Sequence, residues 1–300
     1  MTRLTLLTPT YNRKEFLNRI YESMTIQVNP NFQWLIIDDG STDGTDMVVK
    51  EIIKNHKQSF QINYRKKSNG GKHSALNYAH EFIAGDYVMV LDSDDFLNKN
   101  AVNIILNKID KYQHSTIGWF AFLKGNKDGS VFDVPYNGNA EIMTYSTYMN
   151  KSRKGECSDV YLRKVFTSFP YPEIIGEKFI SESYLNIQAC LYGKYKMITF
   201  NDVVQLVEYM EDGLTLEGRL LQIKNPKGHA ELWKHVRGFD FSFKQKLKGS
   251  WLYITYSLFA NKTLKEILNN SYSAVFTFMN FPFGLCIYII WKNKYLKNNF

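Results

Sequence analysis

The sequence predicts an α/β fold, a mostly parallel sheet flanked by helices, followed by a mainly helical C-terminal extension. Three observations carry this. Strand and helix patterns alternate through the first half, as repeated βα units with right-handed crossovers require. The best strand candidate is a short, continuous apolar run, the signature of a strand buried on both faces. Three of the runs end in polar clusters, and the crevice outside the strand ends is where open α/β sheets bind ligands.

The elements follow in order. Leu4 to Thr8 is a strand, and a helical run from Lys14 to Ile26 follows it. Phe32 to Ile37 is a second strand, ending in Asp38-Asp39-Gly40-Ser41. The next helix, capped by Ser41, Thr42 or Asp43, places Val48, Val49, Ile52 and Ile53 at helical spacing. Phe60 to Tyr64 is a third strand, and Asn69-Gly70-Gly71 turns the chain into a helix carrying Ala75, Leu76, Ala79 and Phe82. The run from Tyr87 to Leu91 is the fourth strand and stops at Asp92-Ser93-Asp94-Asp95. Then come a helix from about Ala101 to Tyr112, a strand from Ile117 to Leu123 and a turn-rich stretch from Asn126 to Asn139. A helix from roughly Ser181 to Tyr192 and a short strand from Lys196 to Phe200 complete the first part. A shift in composition near Gly213–Gly218 divides the chain into a domain over 1–215 and a C-terminal region over 216–300.

A hydrophobic content of 44% is ample for a packed core. Cys157, Cys190 and Cys286 are far apart and show no CxxC spacing, so neither a zinc site nor a disulfide framework is expected, and a cytoplasmic setting is. The opening MTRLTLLTPTYNR lacks the shape of a signal peptide. Residues 1–215 carry 24 basic and 25 acidic side chains, whereas 216–300 carry 13 and 4, so the excess positive charge lies in the last part. Such a segment is drawn to anionic membrane or to nucleic acid.

The carboxylates after the fourth strand cannot share its core, because unpaired buried charge is too costly, and so should project into the crevice. Hard oxygen ligands one residue apart suit Mg²⁺ or Mn²⁺ bound together with a substrate's phosphates. The alternative is an acidic turn in which Asp94 or Asp95 caps the following helix. The first strand ends in Thr8-Pro9-Thr10-Tyr11-Asn12-Arg13 and the second in Asp38 to Asp43. Three such clusters at one sheet edge are better explained by a nucleotide-diphosphate site than by independent turns. No GxGxxG follows the first strand, and Gly70-Gly71-Lys72-His73 lacks the remainder of a P-loop. His73 stands in the first turn of its helix beside the presumed nucleotide, and His80 reads as a surface residue.

TPTYNR, IIDDGSTDGT, NGGKHSALN and VMVLDSDD, in that order, resemble a family 2 glycosyltransferase of the GT-A fold, of the kind acting in bacterial surface polysaccharide or glycolipid synthesis. The resemblance covers about residues 3–215. It implies that Pro9, Tyr11 and Asp39 contact the nucleobase, with Asp39 accepting from a uracil imide. It puts Arg13, Asn69, Lys72 and Ser93 with the nucleotide, Asp92 near the ribose and metal, and Asp94 on an Mn²⁺ or Mg²⁺ ion bridging the diphosphate of a UDP-sugar. A lysine suits phosphate, since its charge offsets the anion; the competing reading of Lys72 is a solvated first-turn side chain. The family's base is usually an aspartate in a Glu-Asp pair opening a helix. Counting back from Gly193 puts Glu182 in that position and Ser181 in place of the acidic partner. Glu177 is the competing candidate, and either could be a helix-start acid favoured by the dipole. The stretch from Val207 to Thr215 resembles a segment that closes over the diphosphate, with Tyr209 and Thr215 as contacts.

Beyond Glu217, aromatic residues from Trp233 to Tyr256 are interleaved with Lys234, Arg237, Lys244, Lys246 and Lys248. Ala274 to Trp291 then runs eighteen residues without a charge before Lys292, Lys294 and Lys297. Asn280, Pro282 and Gly284 interrupt it, so an interfacial or hairpin-like insertion fits better than a span. The expectation is an enzyme peripheral at the inner face of the cell membrane. It would act on a saccharide or lipid-linked acceptor, with no nucleic-acid partner and with a homo-oligomer left open. The rival is a non-catalytic nucleotide-binding or scaffolding relative, for which Ser181 is the best argument. A nucleotidyltransferase would need a basic loop near the first strand, where only Arg13 and Lys14 stand.

Overall fold

The computed structural model describes residues 2–128, 130–131, 140–150, 157–207, 214–236 and 241–296. Its sheet is ordered β3 (Gln61–Lys66), β2 (Phe32–Asp38), β1 (Leu4–Thr10), β4 (Tyr87–Val90), β8 (Cys157–Leu162), β6 (Ile117–Asn126), β9 (Lys196–Val207) and β5 (Phe96–Leu97). β7 (Glu141–Met143) pairs with β9 off this path. The four N-terminal strands are parallel, as the βα alternation requires. β8 enters antiparallel to both β4 and β6, so the sheet as a whole is mixed. Successive strands run outward from β1 to β3, and β4 then returns to the other side of β1. That reversal opens the crevice of a doubly wound sheet between the C-terminal ends of β1 and β4.

Alternation along the strands sorts the core into two layers. Leu4, Leu6, Trp34, Ile36, Met89, Phe120 and Phe122 face one side, where α1 (Lys14–Thr25), α2 (Thr45–Asn55) and α4 (Ala101–Tyr112) supply Leu17, Ile20, Val49, Ile52 and Ile105. Leu7, Leu35, Ile37, Val88, Trp119 and Ala121 face the other. There α3 (Lys72–Tyr78), α6 (Arg163–Ser168), α7 (Ser183–Leu191) and α9 (Pro226–His235) supply Leu76, Phe166, Leu185 and Leu232. Both faces are therefore covered, which is why the strands read as apolar runs.

Several local expectations are corrected. The N-cap of α2 is Gly44, and Asp43 accepts from the Thr45 amide without being the cap itself. Ile53 is exposed, because the buried stripe of α2 runs through Val49 and Ile52. The helix after Gly71 ends at Tyr78 and gives way to a single 3₁₀ turn. β9 continues past Phe200 to Val207, extended by pairing with β6 and β5. α4 follows Asn100 with no side-chain cap, so neither Asp94 nor Asp95 caps it. His80 is half-buried with its ring edge-on to Phe166.

Three further helices follow α8 (Leu214–Lys224) and α9: α10 (Phe243–Phe259), α11 (Leu264–Asn269) and α12 (Ala274–Tyr295). α12 is unbroken through Pro282, so no hairpin forms within it. Its buried residues are Thr277, Asn280 and Gly284, a narrow polar and small stripe seated on α10. Asn280 accepts from the Trp251 indole at 2.8 Å, and the Gly284 carbonyl accepts from Thr255 at 3.0 Å. Val275, Phe278, Met279, Phe283 and Ile290 point outward. The helix is long and apolar enough to cross a membrane, and only 17% of its most apolar window is buried.

α9 is held on both sides. His229 lies between the rings of Phe179 (5.6 Å) and Tyr256 (5.1 Å), and burial pulls its imidazole down to about 4. A histidine near 6.5 when unfolded and near 4 when folded adds stability above pH 6.5 that fades as pH falls toward 4. His73 and His80, also lowered by burial, act in the same direction. Urea unfolding at pH 7 and 4.5 should show a loss to which His229 contributes roughly 2 kcal/mol, and His229→Phe should flatten that difference.

Candidate active site

The ends of β1 and β2 are tied into one ledge. Asn12 adopts a left-handed φ of 52°, which its short polar side chain tolerates. Its amide donates to Ser41 Oγ (2.9 Å), and its side-chain oxygen accepts from the Thr42 amide (2.8 Å). Tyr11 is left exposed at the rim and Pro9 is buried within the strand. Asp39 is buried, and its carboxylate accepts from Lys67 Nζ (3.0 Å), Asn69 Nδ2 (3.1 Å) and the Gly70 and Gly71 amides (2.9 and 2.6 Å). Four donors fill the lone pairs a carboxylate offers. In this structure Asp39 therefore fixes the 67–71 loop, with Asn69 as part of the same web.

That loop carries Lys72 into the crevice. Gly71 has φ +90°, and a Cβ on it would lie 2.0 Å from the Lys178 carbonyl oxygen, so only glycine fits where segment 177–182 crosses. The segment is laced to α9. Glu177 accepts from the Lys227 and Gly228 amides (2.7 Å each), and Asn225 Oδ1 accepts from the Lys178 and Phe179 amides (2.8 and 3.2 Å). Glu177 is thus an N-terminal cap of α9, and both of its oxygens are spent there. Glu182 precedes α7 and is half-exposed.

Lys72 joins the two sides. Its ammonium pairs with Asp92 Oδ1 (2.5 Å) and with Glu182 Oε1. Burial lowers the lysine's affinity for its proton, but the Asp92 and Glu182 charges outweigh that and carry its pKa well above the ordinary value. Burial likewise pushes Asp92 up, and the attraction of Lys72 and then Lys124 reverses it to a net decrease. Asp94 is held above the usual carboxylate range, by burial first and then by the Asp92 charge. Two half-buried oxygen donors one residue apart, one destabilised by the other's charge, fit a divalent cation. Arg19 donates to the Asp94 carbonyl oxygen, and Arg13 is close enough to act on its carboxylate.

Asp95 does not project into the crevice as expected. It is buried, accepts from Gln205 Nε2 and lies 3.6 Å from Lys124 Nζ, and desolvation pushes it up to about 7. The partners that make this tolerable come from β9 and β6, far along the chain.

A cavity of about 460 Å³ opens beside Lys72, Asp92 and Glu182. His73, Ser181 and Ser183 line it, with Asp159 and Met197 from the sheet, Asn186 from α7, Tyr145 from the short helix Tyr145–Asn150, and Leu221 and Gln222 from α8. Buried His73 has no partner on Nδ1. Burial pushes Asp159 up to about 6, partly offset by hydrogen bonds from Asn186 and Tyr161. The structure therefore brings Lys72, Asp92, Glu182, Ser181 and His73 to one cavity, with Ser93 and Asp94 beside Asp92. Tyr11, Arg13, Asp39 and Asn69 belong to the adjoining ledge. Tyr209 and the Thr215 side chain lie outside the described residues, as does most of 126–139.

The family model of glycosyl transferase family 2 matches residues 5–166. The chain belongs to that family. An uncharacterised glycosyltransferase of Mycoplasma genitalium is 34% identical over 120 residues, 38% of this chain and 40% of that protein. The chondroitin synthase of Pasteurella multocida is 33% identical over 129 residues, 43% of this chain and 13% of that one. The chain thus covers less than two thirds of either relative. Among solved structures, S. aureus TarS with UDP-GlcNAc aligns with a TM-score of 0.64 at 17% identity, over 85% of this chain and 71% of that one. The mannosyltransferase PcManGT of Pyrobaculum calidifontis with GDP-Man and Mn²⁺ aligns at 0.58 and 17%, over 97% and 83%. These likenesses show the GT-A fold.

Within this family 2 chain, sequence reasoning missed Lys67, Lys124, Asp159 and Asn186. Asp159 was signalled only by a charge inside the run Cys157–Leu162, and Lys124 by its place directly after an apolar strand. The two glutamates should separate cleanly. Glu177→Ala removes the acceptor of two amides at the start of α9, one buried and one part-buried, and should cost about 1–3 kcal/mol of unfolding free energy. Glu182→Gln should stay within about 0.5 kcal/mol of the parent, as half-exposed ion pairs do. Chemical denaturation of both variants checks this.

Proposed function

We propose that the protein is an inverting, metal-dependent glycosyltransferase that moves a sugar from a nucleotide-sugar, a UDP-sugar by preference, to an acceptor hydroxyl. The observation that carries this reading is the convergence of Asp92, Lys72 and Glu182 on one cavity at the switch point of the sheet. Tyr11, exposed on the ledge, would offer a face to the nucleobase, with Pro9 buried two residues before it at the end of β1. Asp39 reaches a uracil imide by exchanging a donor, and Lys67, at the end of a flexible chain, is the one that can give way. Arg13, Asn69 and Ser93 complete the nucleotide's surroundings.

Asp94 and Asp92 would hold Mn²⁺ or Mg²⁺. Among the described residues no third acidic, cysteine or histidine side chain joins them, and a cation held by two carboxylates would leave positions for substrate phosphate and water. When bound, the cation offsets the charge that builds on the departing diphosphate. Lys72 adds a second positive charge there, and its pairing holds Glu182 on the cavity wall. Glu182 takes the proton from the acceptor hydroxyl as that oxygen attacks the anomeric carbon from the face opposite the diphosphate.

Calorimetric titration of UDP with and without Mn²⁺ tests the donor site: binding should need the metal and vanish in Asp94→Asn. Glu182→Gln should keep that binding and lose at least about a hundredfold in turnover. Retained turnover would remove Glu182 as the base. A parent protein that binds nucleotide but turns over no donor would favour a scaffolding role instead.

We further propose that 1–215 is the catalytic domain and that 216–300 docks it on the inner face of the cell membrane, near a saccharide or lipid-linked acceptor of polysaccharide or glycolipid assembly. The inverted burial of α12 supports this: its polar and small stripe packs inward and its aromatic and aliphatic side chains face out. Exposed Lys292 and Lys294 lie at one end, while Phe243, which contacts Phe276, brings exposed Lys244 to the other. Basic groups flanking an apolar face match an anionic bilayer surface. In flotation with vesicles containing an anionic lipid, the chain should rise with the lipid. Replacing Lys244, Lys292 and Lys294 with glutamate, or Phe278, Met279 and Phe283 with serine, should leave it at the bottom. Unchanged flotation of both variants would rule out this mode of docking.

A further inference from the structure

The cavity extends beyond Glu182 to a second carboxylate that the proposed chemistry does not use. Asp159 sits on β8, its Oδ2 accepting from Tyr161 Oη (3.0 Å) and Asn186 Nδ2 (3.1 Å). Tyr161 Oη also lies 2.7 Å from Asn186 Oδ1, so its one proton is shared between the two acceptors and the three side chains form one cluster. Asp159 Oδ1 is buried and has no partner. A carboxylate accepts hydrogen bonds and donates none, so this oxygen calls for a hydroxyl or an ammonium.

The rest of the lining narrows the ligand. Lys72 is paired with Asp92 and Glu182, and Lys124 lies against Asp95, so both cations already face carboxylates. On the lining three carboxylates, Asp92, Asp159 and Glu182, face two ammonium groups, Lys72 and Lys124, and this excess of negative charge disfavours a further carboxylate on the group beside Asp159. Leu76, Phe179, Ile180, Met197 and Leu221 supply apolar wall suited to the C–H faces of a pyranose ring. Asp92 and Lys72, beside which the diphosphate would lie, line the same cavity as Asp159, so the group attached to that diphosphate is the piece that would meet it.

We propose that Asp159, held by Tyr161 and Asn186, is a specificity-determining residue that accepts a hydrogen bond from a ring hydroxyl of the transferred sugar and selects a neutral hexose over a uronic acid. This rests on the glycosyltransferase reading above and deepens it. The sugar's hydroxyl supplies the donor that Oδ1 lacks, and a uronate carboxylate would add charge to an acidic cavity.

The test compares affinities in Mn²⁺, without acceptor, for UDP and GDP and for UDP-glucose, UDP-galactose, their N-acetylamino analogues, GDP-mannose and UDP-glucuronate. The full-length parent should bind one neutral nucleotide-hexose at least about tenfold more tightly than the bare nucleotide. Its affinity for UDP-glucuronate should not exceed that for UDP. Asp159→Asn, nearly the same shape, should lose that preference while its affinity for the bare nucleotide stays within about twofold. Tyr161→Phe breaks the same internal bond but keeps the carboxylate, and should retain the preference even if its melting temperature falls. Should Asp159→Asn fold poorly, Asp159→Ser, which also removes the carboxylate, takes its place and should lose the preference likewise. The inference is overturned if Asp159→Asn keeps the preference, if both variants lose it equally, or if UDP-glucuronate is the tightest ligand. A parent that binds none of these nucleotides overturns it together with the reading it rests on, whereas nucleotide binding without a sugar preference overturns this inference alone.

Discussion

The pairing of Lys72 with Asp92 and Glu182 is the interaction on which the site depends. Its three members come from the first turn of α3, the end of β4 and the residue preceding α7, so the contact fixes three separate backbones at once. Removing charges from water costs several kcal/mol per ion in real proteins, and mutual attraction repays that only with good geometry. Here one cation serves two anions, and Glu182 remains half in water, which lowers the cost. One ammonium against two carboxylates leaves the cluster with an excess of negative charge, which a cation binding beside Asp92 would offset.

What places Lys72 is the backbone lacing beneath it. Asp39 gathers the Asn69, Gly70 and Gly71 donors, and the Lys178 carbonyl occupies the space that a side chain on Gly71 would need. Segment 177–179 is in turn stitched to the start of α9 by Glu177 and Asn225. Two acids that look alike in the sequence, Glu177 and Glu182, thus have opposite fates. One is consumed by the amides of a helix start, and the other is left facing the cavity.

Local pattern made much of this legible. β1 to β4 were readable because their faces are both covered, and the polar ends of β1, β2 and β4 because charge cannot follow an apolar strand into its core. The destinations of individual carboxylates were not. Asp95 turns inward because Gln205, 110 positions away, supplies its donor, and Asp39 is filled because a later loop folds back over it. Asp159 lies in a strand whose neighbours are Val160 and Ser158, and its exposure to a cavity depends on α7 and α8 arriving from elsewhere. Interruptions also misled: Asn280, Pro282 and Gly284 read as breaks in an apolar run, yet Asn280 and Gly284 are the seat of α12 on α10.

The same helix reaches back to the site. Arg219 of α8 donates to Gln222 (2.6 Å) and to Tyr256 of α10 (2.7 Å), and its guanidinium lies 4.3 Å from the ring of Trp291 on α12. Gln222 is part of the cavity wall. A wall of the site and the seat of the outward-facing apolar helix are therefore built on one arginine. A cation over an indole contributes more when desolvated, so covering α12 with an apolar medium would tighten the contact that holds Arg219, and with it Gln222, in place. The cavity wall and α12 share this cluster, which gives the C-terminal helices a structural part in the site.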